Sequence, residues 1–307
     1  MYSAHLFWKP DKIYLHTDAG PETIARARAS GTRWTKRILS MPNLMIHPVA
    51  APHVTQKGVN IQRIEHKTDF LRLEVLREFG GVYLDTDAIP LRDIADLRNS
   101  GFRNIVAQEF AVTIRFANNL NNGVMMSIPD SKFMTIFYHA AHQFYDGKWA
   151  TASTHLLTDL ANRLAALPFE VLILQPQAFS PVSWEYEDQR RLFLPTMDTT
   201  TATSSEDHQA EQLLRAAAVQ SGSCQDMLAW LKNREKMKHG KDADLWELDF
   251  SSSYVLHAFD GEIEKILGKD QEIDVKYVLD RQSNYARAVF PAVWHAVQEG
   301  IIPKDEI

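Results

Sequence analysis

The stretch from residue 66 to residue 94, HKTDFLRLEVLREFGGVYLDTDAIPLRDI, constrains the fold more than any other part of this chain. Its apolar residues recur at helical spacing, at Phe70, Leu73, Leu76 and, on the flank, Phe79. Gly80 and Gly81 end this helix, because glycine accepts the left-handed conformation of a helix cap. The apolar run VYL that follows predicts a strand, so the chain passes from a helix directly into a buried strand.

The same alternation of helices and strands continues along the chain and indicates an α/β fold with a mostly parallel or mixed sheet. Further strands are predicted at residues 12–18, 44–50, 104–110, 122–128, 169–176 and 252–261. Ligands of open α/β sheets bind beyond the carboxyl ends of the strands. The polar residues at or just beyond such ends are Asp18, Asp85, Asp87 and His257.

Composition excludes several other classes. The 307 residues carry a formal net charge of −6, which argues against a nucleic-acid partner. Cys224 is the single cysteine, so neither a disulfide within the chain nor a cysteine zinc site is expected. No run of about 18 apolar residues is present, so no membrane segment is predicted. The seven tryptophans are scattered along the sequence and indicate no carbohydrate-binding platform.

Asp85 and Asp87 are the strongest candidates for chemistry. On an extended backbone, residues two apart point to the same side, so both carboxylates are expected to converge. Like charges this close favour a bound cation, and oxygen ligands favour Mg²⁺ or Mn²⁺, which keep positions open for phosphate oxygens. The alternative is that both aspartates are ordinary turn residues after a strand.

Asp69 and Arg72 are three residues apart, which places them on one face of the helix before the strand. An arginine beside carboxylates and a phosphate clamps the anion with a fork of donors. Two further residues carry weaker signals. Asn121 lies in a turn signal with Asn122 and Gly123. Glu109 follows a strand and could face the cleft, but a surface carboxylate is the expectation.

The spacing of these residues resembles glycosyltransferase family 32, whose members include fungal mannosyltransferases and animal α-1,4-galactosyl- and N-acetylglucosaminyltransferases. The shared pattern is an Asp, two residues, an Arg, ten residues and Tyr-x-Asp-x-Asp, which the clostridial glucosylating toxins also contain. In this chain it is formed by Asp69, Arg72, Tyr83, Asp85 and Asp87. Weaker similarity extends through KPDKIYLHTD, NNGVMMSIPDSKFM and YVLHAFDG.

The resemblance implies a GT-A-like, Rossmann-related mixed sheet flanked by helices, in one domain over residues 1–307. It further implies a retaining transfer of a hexose from a UDP- or GDP-sugar donor to a glycan, lipid or protein acceptor. Relatives begin with a strand like IPKIIHQIW, which this sequence does not show, so either the first strand is missing or the site is built differently here. The Thr/Ser-rich residues 196–212 are expected to form a mobile loop. A Golgi lumen location is implied by the resemblance alone.

The resemblance also implies roles for individual residues. Asp87 would bind Mn²⁺ or Mg²⁺ directly, and Asp85 would hold the ribose or sugar and reach the metal through water. His257 matches a late histidine of the family, a candidate metal or phosphate contact. The remaining donor contacts implied are Asp69, Arg72, Tyr83 and Asn122.

Two other readings of the motif stay open. One is a truncated or non-catalytic relative that binds a sugar nucleotide, favoured by the missing first strand. The other is a metal-dependent phosphoesterase, which ranks last because the sequence lacks the additional His and Asp clusters of a two-metal site.

Overall fold

A computed structural model describes residues 1–110, 118–195, 246–259, 261, 263–269 and 272–303 of the chain. The predicted loop at residues 196–212 and Cys224 therefore lie outside the described residues. The chain divides into two compact units, Met1–Ser183 with Tyr254–Ala258 and Trp184–Ser253 with Phe259–Ile307. The expectation of one transferase domain over the whole chain stays a prediction.

The described helices of the first unit include the one that the apolar spacing from Phe70 to Phe79 predicts. They are α1 (Tyr2–Trp8), α2 (Pro21–Ser30), α3 (Arg33–Leu39), α4 (Ile64–Phe79), α5 (Ala95–Arg98), α6 (Lys132–Phe144), a π-helical turn (Thr151–His155), α7 (Leu156–Leu164) and a 3₁₀ turn (Pro176–Ala178). Helices α2 and α3 are separate, because the chain is extended at Gly31 and Thr32 then caps α3 by accepting from the Thr35 N–H.

The strands of this unit form three sheets within the described residues. The strands are β1 (Ile13–Thr17), β2 (Leu44–Pro48), β3 (Gly81–Leu84), β4 (Ala88–Pro90), β5 (Asn104–Gln108), β6 (Leu120–Ser127), β7 (Val171–Leu174) and β8 (Val255–His257). The largest sheet has the order β3-β6-β5-β7, with β6 antiparallel to both neighbours and β5 parallel to β7. The predicted mixed sheet is therefore present. The other two sheets are the parallel pair β1-β2 and the antiparallel pair β4-β8.

The four-stranded sheet is covered on both faces, as an α/β architecture requires. Successive residues of β6 alternate between faces. Met125 packs in one core with Leu73 of α4 and Phe133 of α6, while Val124 and Met126 belong to a second core on the opposite face. These core residues are at most 7% exposed, so the sheet is buried from both sides.

The apolar face of helix α4 packs against this sheet and so fixes the helix that carries Asp69 and Arg72. Phe70, Leu73 and Leu76 are all buried, as the spacing predicts. Gly80 ends the helix at φ 64°, and a Cβ there would approach the Pro129 ring and nitrogen to 2.6 Å. Both the backbone angle and the close approach require glycine at this position, and β3 follows immediately.

The second unit is helical in its described part. Its helices are α8 (Tyr186–Phe193), α9 (Ile263–Leu267), α10 (Val275–Asp280) and α11 (Asn284–Gln298). The Tyr277 hydroxyl of α10 donates to the Phe193 carbonyl, and the Asn284 amide donates to the Arg191 and Trp246 carbonyls. Among the helices that the structure describes, none is both long and apolar enough to span a bilayer.

Adjacent strands β1 and β2 bring two histidines together. The Nδ1 atoms of His16 and His47 lie 2.9 Å apart, so one ring donates and the other must be unprotonated at that atom. Burial, followed by the neighbouring His47, lowers the pKa of His16 from 6.5 to about 4. Protonation of His16 therefore opposes folding.

We expect acid to destabilise the protein through His16. Between pH 6.5 and about 4 the unfolded chain binds a proton at this residue that the folded chain does not, so stability falls as pH falls. Replacing His16 with Gln should flatten this part of the curve of unfolding free energy against pH, measured by urea denaturation. Replacing the exposed His139 with Gln is the control, and parallel curves for wild type and H16Q would contradict the assignment.

Candidate functional site

The two aspartates of the motif lie in a turn between β3 and β4. The Ala88 N–H donates to the Asp85 carbonyl at 3.1 Å, which closes the turn. The prediction that Asp85 and Asp87 lie on an extended backbone was wrong, because the strand ends at Leu84. Their carboxylates still converge, since the turn replaces the strand pleat in bringing them to one side. Asp85 and Asp87 can therefore be turn residues and metal ligands at the same time.

Arg72 of α4 is a buried cation that connects three parts of the site. Its residue surface is 5% exposed. One Nη atom lies 3.3 Å from Asp85 and donates to the Asn122 carbonyl at 2.6 Å, while the other lies 3.3 Å from Asp69. The predicted placement of Asp69 and Arg72 on one helix face is confirmed.

Tyr83 and Asn122 complete this network. The Tyr83 hydroxyl donates to Asp85 Oδ1 at 2.9 Å, and its ring lies 4.8 Å from the Arg72 guanidinium carbon. The Asn122 amide donates to Asp69 Oδ1 at 2.8 Å. Five residues that the sequence singled out are thus joined by direct hydrogen bonds and ion pairs.

Burial controls the protonation of this network. It raises the pKa of the Asp69 carboxyl, although the Arg72 charge and the Asn122 amide oppose the rise. Burial alone would lower the pKa of Arg72, but Tyr83, Asp85 and Asp69 outweigh it, so that pKa is raised and the guanidinium stays charged. Burial also raises the pKa of the Tyr83 hydroxyl, which therefore remains a donor to Asp85.

Strand β8 brings His257 to the aspartates from a distant part of the chain. It pairs with β4 so that His257 lies opposite Ala88, and the Ala258 N–H donates to the Asp87 carbonyl at 3.0 Å. The His257 Nε2 atom lies 3.3 Å from Asp87 Oδ1, and the residue is 4% exposed. Strand β4 is the element that the sequence analysis missed, because three residues containing a proline give little strand signal.

Asp85, Asp87 and His257 form a set that fits a divalent cation. One ligand atom of each lies within 4.8 Å of the others. Two carboxylate oxygens and one imidazole are suitable ligands for Mn²⁺, and Mg²⁺ accepts the oxygens. Gly123 lies directly beneath the set, because a Cβ there would come within 2.4 Å of the His257 ring and 2.8 Å of Asp85. The glycine thus leaves room for the three side chains to converge.

Glu109 is a site neighbour that the sequence analysis treated as a surface carboxylate, and this was wrong. It is 9% exposed, and its Oε2 accepts from the Asn121 amide at 3.2 Å. Asn121 Oδ1 in turn accepts from the Gly123 N–H at 2.8 Å. Burial raises the pKa of Glu109, opposed by Asn121 and by nearby histidines including His257. Its position after a buried strand was the only sequence signal.

Asp18 stays outside this network. It is exposed just beyond β1, and within the described ranges no hydrogen bond or ion pair joins it to the residues above. Its position at a strand end was predicted correctly, but a strand end is a weak indicator of a site because many strand ends are simply solvated.

The comparisons with known proteins point to the same part of the chain. Residues 9–110 match the family model described as a glycosyltransferase sugar-binding region containing a DXD motif. This range contains Asp69, Arg72, Tyr83, Asp85 and Asp87, and it ends before Asn122 and His257. The match supports a glycosyltransferase-like sugar-binding region in the first unit.

Three curated relatives are similar to parts of this chain. Glucan organizing enzyme 1 of Cryptococcus neoformans is 27% identical over 195 residues, 62% of this chain and 49% of that protein. An uncharacterized protein of Arabidopsis thaliana is 34% identical over 100 residues, 32% of this chain and 14% of that protein. Mouse lactosylceramide 4-alpha-galactosyltransferase is 26% identical over 127 residues, 38% of this chain and 32% of that protein.

This chain thus spans about half or less of the length of these relatives. No solved structure matches it. The mixed α/β sheet flanked by helices is compatible with a GT-A-like fold, and the relatives support a glycosyltransferase role.

We expect Gly123→Ala to distort the cluster of Asp85, Asp87 and His257. The new methyl group would occupy the space of the His257 ring, and overpacking of this kind costs about 1–3 kcal/mol in unfolding free energy. Gly20→Ala is the control, since a Cβ at Gly20 meets nothing within 4 Å. Urea denaturation measures both, and equal stability of the two variants would show that the site tolerates a side chain at Gly123.

We expect Arg72→Met to destabilise the protein by about 3 kcal/mol at pH 7, because it leaves partly buried carboxylates without their cation. The pKa of Asp69 should then rise further, so the folded state takes up a proton and the loss should shrink as pH falls to 5. Arg98→Met, at an exposed pair with Asp93, should change stability by less than about 1 kcal/mol. A deficit for R72M that does not depend on pH would contradict this account.

Proposed function

We propose that this protein is a metal-dependent, retaining glycosyltransferase that moves a hexose from a UDP- or GDP-sugar to a glycan, lipid or protein acceptor. The observation that carries the proposal is the convergence of Asp85, Asp87 and His257 beside the buried Arg72–Asp69 pair. The match of residues 9–110 to a sugar-binding region and the names of two relatives support it.

The metal site would be formed by Asp87 and His257 directly, with Asp85 as a direct or water-mediated ligand. When bound there, Mn²⁺ or Mg²⁺ would supply positive charge that stabilises a leaving diphosphate. The fold contributes orientation, since the turn closed between Asp85 and Ala88 and the pairing of β4 with β8 fix the three side chains before any ligand binds.

The donor sugar would lie against Asp69, Arg72 and Asn122. These side chains already form a network, so their carboxylate, guanidinium and amide groups are oriented for sugar hydroxyls at little further entropic cost. Cleavage of the anomeric bond develops positive charge on the sugar ring, which nearby carboxylates stabilise. Tyr83 holds Asp85 by its hydroxyl and packs on Arg72, so its role is to position them.

Location and acceptor belong to the proposal as well. A Golgi lumen location follows from the resemblance to family 32 alone. A hexose donor agrees with the names of a galactosyltransferase and a glucan organizing enzyme among the relatives. The choice among UDP-galactose, UDP-glucose, UDP-N-acetylglucosamine and GDP-mannose is made by the experiment below.

The test is hydrolysis of these four sugar nucleotides by the purified chain, first with Mn²⁺ and then with EDTA. We expect release of nucleoside diphosphate from one donor, abolished by EDTA. Asp87→Asn should lower the rate at least about 100-fold, because it removes a charged group that acts on the leaving diphosphate. Asp159→Asn, an equivalent change at an exposed helix position, should leave the rate unchanged.

Three outcomes separate the readings. Metal-dependent release that Asp87→Asn removes supports the transferase. Tight binding of a sugar nucleotide without turnover supports the non-catalytic relative. Hydrolysis of nitrophenyl phosphate with Mg²⁺, and of no sugar nucleotide, supports the phosphoesterase.

A further inference from the structure

Trp149 is an exposed aromatic side chain near one end of helix α4. It lies between α6 and the π-helical turn and is 61% exposed. A single exposed apolar residue is ordinary on a protein surface. Trp149 differs from such a residue in two respects, the hydrogen bonds that fix its backbone and the side chains that surround its ring.

The backbone that carries Trp149 is fixed on both sides. The two carboxylate oxygens of Asp146 accept from the Lys148 N–H at 3.0 Å and from the Thr151 hydroxyl at 3.3 Å. The Ser153 hydroxyl donates to the Trp149 carbonyl at 3.0 Å. An indole on a constrained segment loses little backbone entropy when a ligand covers it, which favours binding. The π-helical turn that follows is a feature frequent at functional sites.

The neighbours of Trp149 are an exposed arginine and a buried histidine. The rings of Trp149 and His66 are 5.8 Å apart, and the Arg63 guanidinium carbon lies 5.9 Å from the indole centre. His66 is 3% exposed, and its Nδ1 atom lies 2.8 Å from the Tyr145 hydroxyl. Its buried Nε2 atom has no hydrogen-bond partner among the described residues. A buried polar atom of this kind requires a partner, and a ligand hydroxyl can supply one.

A polar stripe along α4 connects this cluster to the donor site. Arg63, His66, Asp69 and Arg72 follow one another at intervals of three residues, so each lies beside the next on the helix surface while the series winds around the helix. His66 lies about 4.5 Å from Asp69 along the helix axis. Both His66 and Tyr145 are close enough to Asp69 to interact with it electrostatically. His66 therefore links the exposed indole to the proposed sugar contact Asp69.

We propose that Trp149, Arg63, His66 and Tyr145 form a subsite for a neutral pyranose ring of the acceptor. The assignment of this ring to an acceptor rests on the proposed function. The apolar face of a pyranose stacks on an indole, and its hydroxyls bond to imidazole and guanidinium groups at the ring edge. An acyl chain would use the indole but leave Arg63 and the His66 Nε2 atom unpaired, so a sugar fits the cluster better than a lipid tail.

The sequence indicated no carbohydrate-binding platform because the tryptophans are scattered along it. The fold changes this for Trp149, since the packing of α6 against α4 carries the segment after α6 to the start of α4. A single aromatic platform with polar groups at its edge needs no other tryptophan.

The subsite can be tested by titrating the purified chain with lactose, cellobiose and mannobiose, with binding followed by saturation-transfer difference NMR. These probes present galactose, glucose and mannose. We expect one of them to bind, and Trp149→Ala to weaken that binding by about tenfold or more, as for a central aromatic contact. Tyr145→Phe, which removes the hydroxyl that holds His66, should weaken binding by a smaller factor.

Trp34→Ala is the matched control. Trp34 is also exposed, at 40%, and also lies beside arginines, with Arg37 at 4.8 Å and Arg33 at 5.3 Å from its ring. The Trp34→Ala variant should bind the disaccharide within about twofold of the wild-type affinity, because side chains outside the binding site contribute little binding free energy. Failure of all three disaccharides to bind, or equal losses for the two tryptophan variants, would overturn the subsite.

The proposed subsite and the proposed function are tested by different measurements, so one can be contradicted without the other. The Asp87→Asn chain should bind the disaccharide like wild type, because Asp87 is not part of the cluster around Trp149. Trp149-dependent binding without any metal-dependent release from a sugar nucleotide would support the subsite and count against the transferase. Release without such binding would support the transferase and overturn the subsite.

Discussion

The buried charge of Arg72 is the interaction on which the site depends. A guanidinium that is 5% exposed loses its hydration, and it persists only if its partners are negative and hydrogen-bonded. Asp69 on its own helix, Asp85 in the turn after β3 and the Asn122 carbonyl on β6 supply those partners. Because these partners come from three elements, satisfying one charge also fixes helix, turn and strand relative to one another.

The metal-site geometry depends on a second constraint, the backbone beneath the side chains. Gly123 removes one Cβ at the point where Asp85 and His257 approach, and Asn121 and Glu109 hold the neighbouring backbone in place. The geometry of the site therefore depends on residues of β6 as well as on residues of the motif. This accounts for the burial of Glu109, whose carboxylate orients the Asn121 amide instead of meeting solvent.

The part of the fold that could be predicted from the sequence is the part encoded locally. Helix α4, the glycine that ends it and strand β3 follow from residues within one stretch, and the pairing of Asp69 with Arg72 follows from helical spacing. Strand β4 and the position of the exposed Trp149 beside His66 depend on partners far away in sequence. Neither propensity nor periodicity contains that information, because β4 is a strand only when β8 lies beside it.

Charge balance connects the two constraints. Asp69, Asp85, Asp87 and Glu109 lie around the Arg72 guanidinium and the His257 ring, so the described site contains more acidic groups than one buried cation neutralises. Burial raises the pKa of Asp69 and of Glu109, so the charged forms of both carboxyls are disfavoured here. A divalent cation would relieve the excess of negative charge. Since the proposed ligands meet only after β4 pairs with β8, such a cation would bind the folded chain and stabilise it in preference to the unfolded one.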